Sequence, residues 1–235
     1  MPRKHLVASQ TNKKQQMQAK IWLKLAKEIK AAAKVGGPNI DANPRLKAAV
    51  EKALSNNLSR ESIERNISGA NKDPANMVAL TYECYGPNGS QFIIYALTDN
   101  QNRTASNLRG YLSKIHGTIA KPNSVKMFFN NYGTFILVKN SATNEDTILE
   151  ALLDYEIIDI IEHEDNYEVY VNPNQFYDAK KSLTLAKFNI HEAEIKLVAQ
   201  EKKDITDEQL LAKIEKFIDS CENDDDVQSV VTNLL

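Results

Sequence analysis

Seven consecutive polar residues, Thr98, Asp99, Asn100, Gln101, Asn102, Arg103 and Thr104, stand where a strand-like run from Phe92 to Leu97 gives way to a helical pattern. A carboxylate, side-chain amides and a guanidinium placed beside the free N–H groups of a helix start suit a phosphate, a carboxylate or a partner's backbone. The plainer reading of the same residues is a helix cap, with Asp99 or Asn102 as the N-cap. Arg103 argues for more than a cap, because a cation at the positive end of a helix is unfavourable unless a carboxylate such as Asp99, or an incoming phosphate, lies against it.

A second set of residues is basic. From about Gln10 to Val35 the chain lacks Pro and Gly and repeats Met17, Ile21, Trp22, Leu25, Ile29 and Ala33 at helical spacing. On that helix Lys13, Lys20, Lys24, Lys27 and Lys34 fall within an arc of roughly 80°, rotated away from the apolar one. Such a stripe suits a phosphate backbone, and a solvated helix face is the competing reading, with Glu28 the one acid available to relieve it. Arg45 and Lys47, at the start of the next helix, extend the candidate nucleic-acid surface.

Catalytic arrangements are thin. His5, His116, His163 and His191 sit in four different elements without metal-ligand spacing, and no nucleophile elbow, P-loop or dinucleotide fingerprint occurs. Cys84 and Cys221 give neither a disulfide framework nor a metal set, and both are expected reduced. The acidic cluster Glu162, Glu164 and Asp165 reads as a solvated hairpin tip. The expectation is therefore a protein that is not an enzyme and uses no cofactor and no metal.

Composition limits the class of protein. A chain of 235 residues, 42% hydrophobic and 26% charged, is ordinary for globular domains. No run approaches the roughly 18 apolar residues of a membrane helix, and the first twenty residues lack the apolar core of a secretory signal, so a cytoplasmic protein without membrane contact is expected. The net charge of −2 hides a division: 15 Lys+Arg against 6 Asp+Glu up to Ala75 leave +9, and the remaining 14 against 25 leave −11. Such asymmetry points to nucleic acid as the partner of the basic part. Lys outnumbers Arg 23 to 6, as an AT-rich genome produces, so the placement of the lysines says more than their number.

The elements that must hold these residues follow in order. Gly36-Gly37-Pro38 ends the first helix, Asn43 caps a second with Pro44 at its first position, and Ser59 caps a third, making a small helical bundle. Leu80 to Leu97 reads as a hairpin turning at Gly86-Pro87-Asn88-Gly89. A helix from Thr104 stopped by Gly117 and a strand from Ser124 to Phe129 come next. Strand Thr134 to Val138, helix Glu145 to Tyr155, strands Ile157 to Glu162 and Tyr167 to Val171, helix Asn174 to Phe188 and strand His191 to Val198 give βαββαβ, the order of a ferredoxin-like sandwich. A helix from Asp207 to Ser220 and a strand from Val227 to Val231 would complete a second sandwich, with Glu222 to Asp226 as turn chemistry. The fold class expected is α+β: a helical N-terminal bundle (1–75), a middle αβ domain (76–132 with 202–235) and a ferredoxin-like domain (133–201) inserted in it.

Taken as an ordered set, Asn43-Pro44-Arg45-Leu46, Ile63-Glu64-Arg65, Tyr82-Glu83-Cys84-Tyr85-Gly86-Pro87-Asn88-Gly89, Leu97 to Thr104, Glu168-Val169-Tyr170 and Asp226-Val227-Gln228 resemble the YebC family. The similarity runs from about Lys14 to the C-terminus. It implies three domains and a role as a transcriptional regulator or a translational activator, and it adds Tyr85 and Gly86 to Asp99, Asn100, Asn102, Arg103 and Thr104 as motif residues for partner binding. One departure stands: Pro2-Arg3-Lys4-His5-Leu6 occupies the place where the family usually has Gly-His-Ser-Lys-Trp. The function expected is a nucleic-acid-binding regulator acting on promoter DNA or on ribosomal or transfer RNA, with the ribosome favoured and a monomer favoured. The alternative is a protein- or small-molecule-binding module whose lysine stripe is only solvated surface.

Overall fold

A computed structural model of the protein describes residues 3–70 and 77–235, with side chains along the first helix from Met17 onward. Helix α1 (Arg3–Gly36) starts seven residues earlier than periodicity predicts, while α2 (Pro44–Ser55) and α3 (Arg60–Gly69) begin after the expected caps Asn43 and Ser59. Leu25, Ile29, Ala32 and Ala33 of α1 pack on Leu46, Ala49 and Ala53 of α2 and Ile63 of α3, so the three helices share a core of their own. Asn43 ties two helix ends together. Its Oδ1 accepts from Leu46 N at 3.1 Å, and its amide donates to Ala32 O and Gly37 O, both at 2.9 Å, so one buried side chain serves the end of α1 and the start of α2. Gly37 turns the chain at φ +87, and a Cβ on Gly36 would lie 2.5 Å from the Asn43 amide.

Strands β1 (Val78–Tyr85) and β2 (Gln91–Thr98) form the expected hairpin, in register from Val78↔Thr98 to Tyr85↔Gln91 around a 3-10 turn at Pro87–Gly89. Helix α4 (Gln101–Ser113) follows, and β3 (Thr118–Ile119) pairs with the end of β1. Helix α7 (Glu208–Glu222) and β8 (Val227–Thr232) arrive from the far end of the chain, and the sheet order is β3-β1-β2-β8. Leu108 and Leu112 of α4 and Ile214 and Phe217 of α7 are buried, with Phe217 edge-on to Phe92 at 4.9 Å. The strand expected from Ser124 to Phe129 is instead a 3-10 turn at Lys126–Phe128, and the two-residue β3 takes the edge position. Val125 and Phe129 are buried four residues apart while Met127 and Phe128 are exposed, a spacing that suits a helical turn and not a pleated strand. The chain leaves α4 through His116 at φ 56, and Gly117 follows because a Cβ there would lie 2.9 Å from Tyr85 O.

The second sheet is built from β4 (Phe129–Val138), β5 (Ile157–Glu162), β6 (Asn166–Val171) and β7 (Ile190–Ala199) in the order β5-β6-β4-β7, with α5 (Glu145–Ala151) after β4 and α6 (Phe176–Leu185) after β6. First and third strands at the centre, second and fourth at the edges, is the ferredoxin-like order. Phe135, Leu137, Ile148, Val169, Val171, Phe176 and Leu183 form its core, Phe135 stacked on Phe176 at 5.0 Å. Helix α5 is shorter than expected, since Leu152 leaves helical geometry and the chain turns into β5. The protein is thus α+β, with a helical N-terminal body and two separate four-stranded sheets. It divides into two compact units, Met1–Lys121 with Ile205–Val230, and Pro122–Asp204 with Val231–Leu235. The expected boundary at residue 75 lies outside the described residues.

Candidate nucleic-acid interface

The seven polar residues after β2 are organised by local hydrogen bonds first. Asn100 N donates to Thr98 Oγ1 at 3.0 Å, and Asn100 Oδ1 accepts from Arg103 N at 3.0 Å, so the N-cap of α4 is Asn100 and neither of the expected Asp99 and Asn102. Asp99 has a different use: its carboxylate accepts from Arg103 Nη2 at 2.8 Å. Asn102 is exposed in the first turn of α4.

Arg103 has a second and better partner. Its Nε donates to Asp226 Oδ2 at 3.0 Å and its Nη2 lies 2.9 and 2.7 Å from the two Asp226 oxygens, a two-pronged grip on a carboxylate whose side chain is 5% exposed. Thr104, itself buried, places its hydroxyl 3.0 Å from the same carboxylate. Burial pushes the Asp226 carboxyl up; the hydrogen bonds from Arg103 and Thr104, the Arg103 charge and the Thr98 hydroxyl outweigh it and hold the group below its ordinary value. Two carboxylates therefore account for a cation at the positive end of α4. Asp226 stands 123 residues from Arg103, and the only signal for it in the sequence was its place in the Asp226-Val227-Gln228 stretch that carries the resemblance.

The acidic run is a folded turn. Asn223 caps the end of α7, Asp226 N donates to Asp224 Oδ1 at 3.0 Å, and Leu97 N donates to Asp226 O at 2.8 Å as β8 joins the sheet. Asp224 Oδ2 accepts from Asn107 Nδ2 and Tyr111 OH, both at 3.0 Å. Burial, that hydrogen bond and the nearby charges push the Tyr111 phenol up to about 12.

Three lysines of the stripe reach this turn. Lys20 Nζ donates to Asn223 Oδ1 at 2.7 Å, Lys24 Nζ to Glu222 O at 2.6 Å and Lys27 Nζ to Asp225 O at 2.8 Å, with Asp226 Oδ1 3.7 Å from Lys27. The last carbonyls of a helix are unsatisfied and carry the negative end of its dipole, so ammonium groups suit them. Desolvation lowers the Lys24 pKa despite Glu222, Asp224 and Asp225 close by. Lys34 is half-buried in the last turn of α1, Arg45 grips Glu28 at 2.9 Å across α1 and α2, and Lys47 is exposed on α2. The side chain of Lys13 lies outside the described residues.

Lys27, Lys30 and Lys34 on one side and Asp99, Arg103 and Asp225 on the other line a cleft of about 910 Å³. Tyr85 and Gly86 are not brought to it. They lie at the turn end of the hairpin, about 25 Å along the strand from Thr98, where Gly86 N donates to Ser90 O at 2.8 Å. Among the described residues no three His, Cys, Asp or Glu side chains are placed to hold a metal ion, and no helix is long and apolar enough to cross a membrane.

Comparison with known proteins covers both units. A family model described as the TACO1/YebC protein N-terminal domain matches residues 3–73, and one described as the TACO1/YebC second and third domain matches residues 77–234. A probable transcriptional regulatory protein of Ureaplasma urealyticum is 54% identical over 99% of this chain and 98% of its own length. One of Mycoplasma pneumoniae is 46% identical over the whole of both chains. The crystal structure of a conserved hypothetical protein from Aquifex aeolicus superposes with a TM-score of 0.77 at 30% identity, covering 92% of this chain and 90% of that one.

Proposed function

The chain belongs to the TACO1/YebC family, and from that premise we propose that it is a non-enzymatic regulator of gene expression that grips a nucleic-acid backbone through its N-terminal helices. One observation carries the reading: the surplus of positive charge lies in the segment whose helices share a core. The helices α1 to α3 share a core of their own and lie in the segment that holds the surplus of +9, while the rest of the chain totals −11. Cations on a small rigid body are the footprint of phosphate binding.

The chemistry of those cations favours the backbone over the bases. Lysine is a point charge, and guanine readout uses a two-pronged arginine. Arg45 and Arg65 each face a glutamate, Glu28 and Glu61, at 2.9 Å. A protein with a basic body and acidic remainder is better matched to a shaped site on structured RNA, the ribosome foremost, than to the uniform negative charge of bare duplex DNA. Affinity of the full chain for a structured ribosomal RNA fragment and for duplex DNA of equal charge, at one fixed salt concentration, tests this. Tighter binding to the RNA, with co-sedimentation on ribosomes, is expected. Preference for the duplex would redirect the reading to promoter DNA, and binding to neither would overturn it.

A further inference from the structure

Lys20, Lys24 and Lys27 share one face of α1, spaced four and three residues apart, and span about 10 Å of its axis, the rise of about three phosphates along one strand. Each ammonium already holds an oxygen of the turn after α7: the Asn223 side chain, the Glu222 carbonyl and the Asp225 carbonyl, at 2.6 to 2.8 Å. We propose that the turn Glu222–Asp226 is an internal competitor for this lysine row, so that the row binds a nucleic-acid backbone only after it has let go of the turn. The inference rests on the function proposed above and adds a mode of control to it.

Two features make the contact a clasp that can open. Among the described residues the core of α1 to α3 includes none from α7, β8 or the sheet, so releasing the turn does not break that core. The oxygens within hydrogen-bond distance of the row are a neutral amide and two peptide carbonyls; the one ion pair is the longer contact of Lys27 with Asp226 Oδ1 at 3.7 Å, and the Glu222 and Asp225 carboxylates are exposed nearby. A phosphate offers the same ammonium groups a full negative charge, and so a Coulomb attraction that a neutral amide or peptide carbonyl lacks. The turn itself stays folded when α1 leaves, because Asp224 is held by Asn107 and Tyr111 and Asp226 by Arg103 and Thr104.

The test uses the full-length chain, a single-stranded RNA oligonucleotide and a zero-length amine-to-carboxylate crosslinker read by mass spectrometry. Links between α1 lysines and Glu222 or Asp225 are expected in the free protein and are expected to vanish over the same RNA concentrations at which binding saturates. Glu222→Gln with Asp225→Asn should bind the RNA several-fold tighter. Glu150→Gln with Asp154→Asn, two exposed acids after β4 that make the same change in net charge, should give a clearly smaller gain. Crosslinks that persist at saturation, or equal gains from the two pairs, overturn the clasp while leaving the proposed function standing. Absence of RNA binding in every form overturns both.

Discussion

The two sheets have the same inventory, four strands and two helices, and they are held together differently. Everything in the second sheet comes from the contiguous stretch 129–199, and its core is a run of neighbours in sequence closed by the Phe135–Phe176 stack. The first sheet receives β8 from more than a hundred residues downstream of β2. At that junction lies a buried carboxylate gripped by an arginine, a threonine and, more distantly, a lysine. In the second unit Glu162 accepts from Lys139 at 2.7 Å and Tyr167 at 3.0 Å and is 62% exposed, and the carboxylate of Glu168, 14% exposed, has a single lysine contact, Lys196 at 3.3 Å, from 28 residues away. Closing a long loop carries a greater entropy cost than closing a short one, and a two-pronged grip on a buried carboxylate is stronger and more directional than a single contact with an exposed one.

If that contrast is right, the largest effect belongs to Asp226→Ala. It leaves Arg103 and Thr104 without their partner at the closure point and should cost about 3 kcal/mol in a denaturant melt, the low end for a buried pair because Arg103 is half-exposed. The same group makes the first unit acid-sensitive. Its folded pKa lies below the ordinary 3.8, so its contribution is complete above that value and is lost as pH falls through the depressed one. Tryptophan fluorescence of Trp22, whose Nε1 donates to Asn56 O at 2.9 Å, would follow the helical body through the same titration.

Smaller effects sharpen the contrast. Asn43→Ala removes a cap shared by two helix ends and should cost about 2 kcal/mol, whereas Asn100→Ala removes one cap and should cost about 1 kcal/mol. Asn102→Ala, which sequence reasoning ranked as a cap, should leave the midpoint unmoved, as judged by thermal melts of the two single variants side by side. Smallest of all is Lys139→Met, which removes the pair with the 62%-exposed Glu162 and the ammonium over the Tyr167 ring at 4.9 Å and should cost no more than about 1 kcal/mol in the melt of the second unit; a loss as large as that of Asp226→Ala would show that the two pairs matter equally.

What could be read from the sequence followed the range of the interactions involved. Asn43-Pro44, the hairpin turn and the βαββαβ order were legible because each is set within a few residues by backbone chemistry or by side-chain period. The edge strand was misplaced because two residues carry no period, and Val125 and Phe129 imitated a strand end. The cap was expected at Asp99 or Asn102 and is Asn100, because side-chain type alone does not rank three good cap residues and the Thr98 hydroxyl, which accepts from Asn100 N, sets the Asn100 backbone. Least legible were the partners of the charges. The helix dipole called for an anion beside Arg103: Asp99, four residues away, is one as expected, and the second, Asp226, lies 123 residues away where no local pattern could show it. The lysine stripe was visible as a face, and nothing local could show that the end of α7 lay against it.

The central claim, that the N-terminal helices are the part that touches nucleic acid, is tested most directly by ultraviolet crosslinking of the full chain to RNA and mass-spectrometric mapping of the crosslinked peptides. The account predicts crosslinked peptides from α1 to α3. Crosslinks confined to residues 77–235 would contradict it.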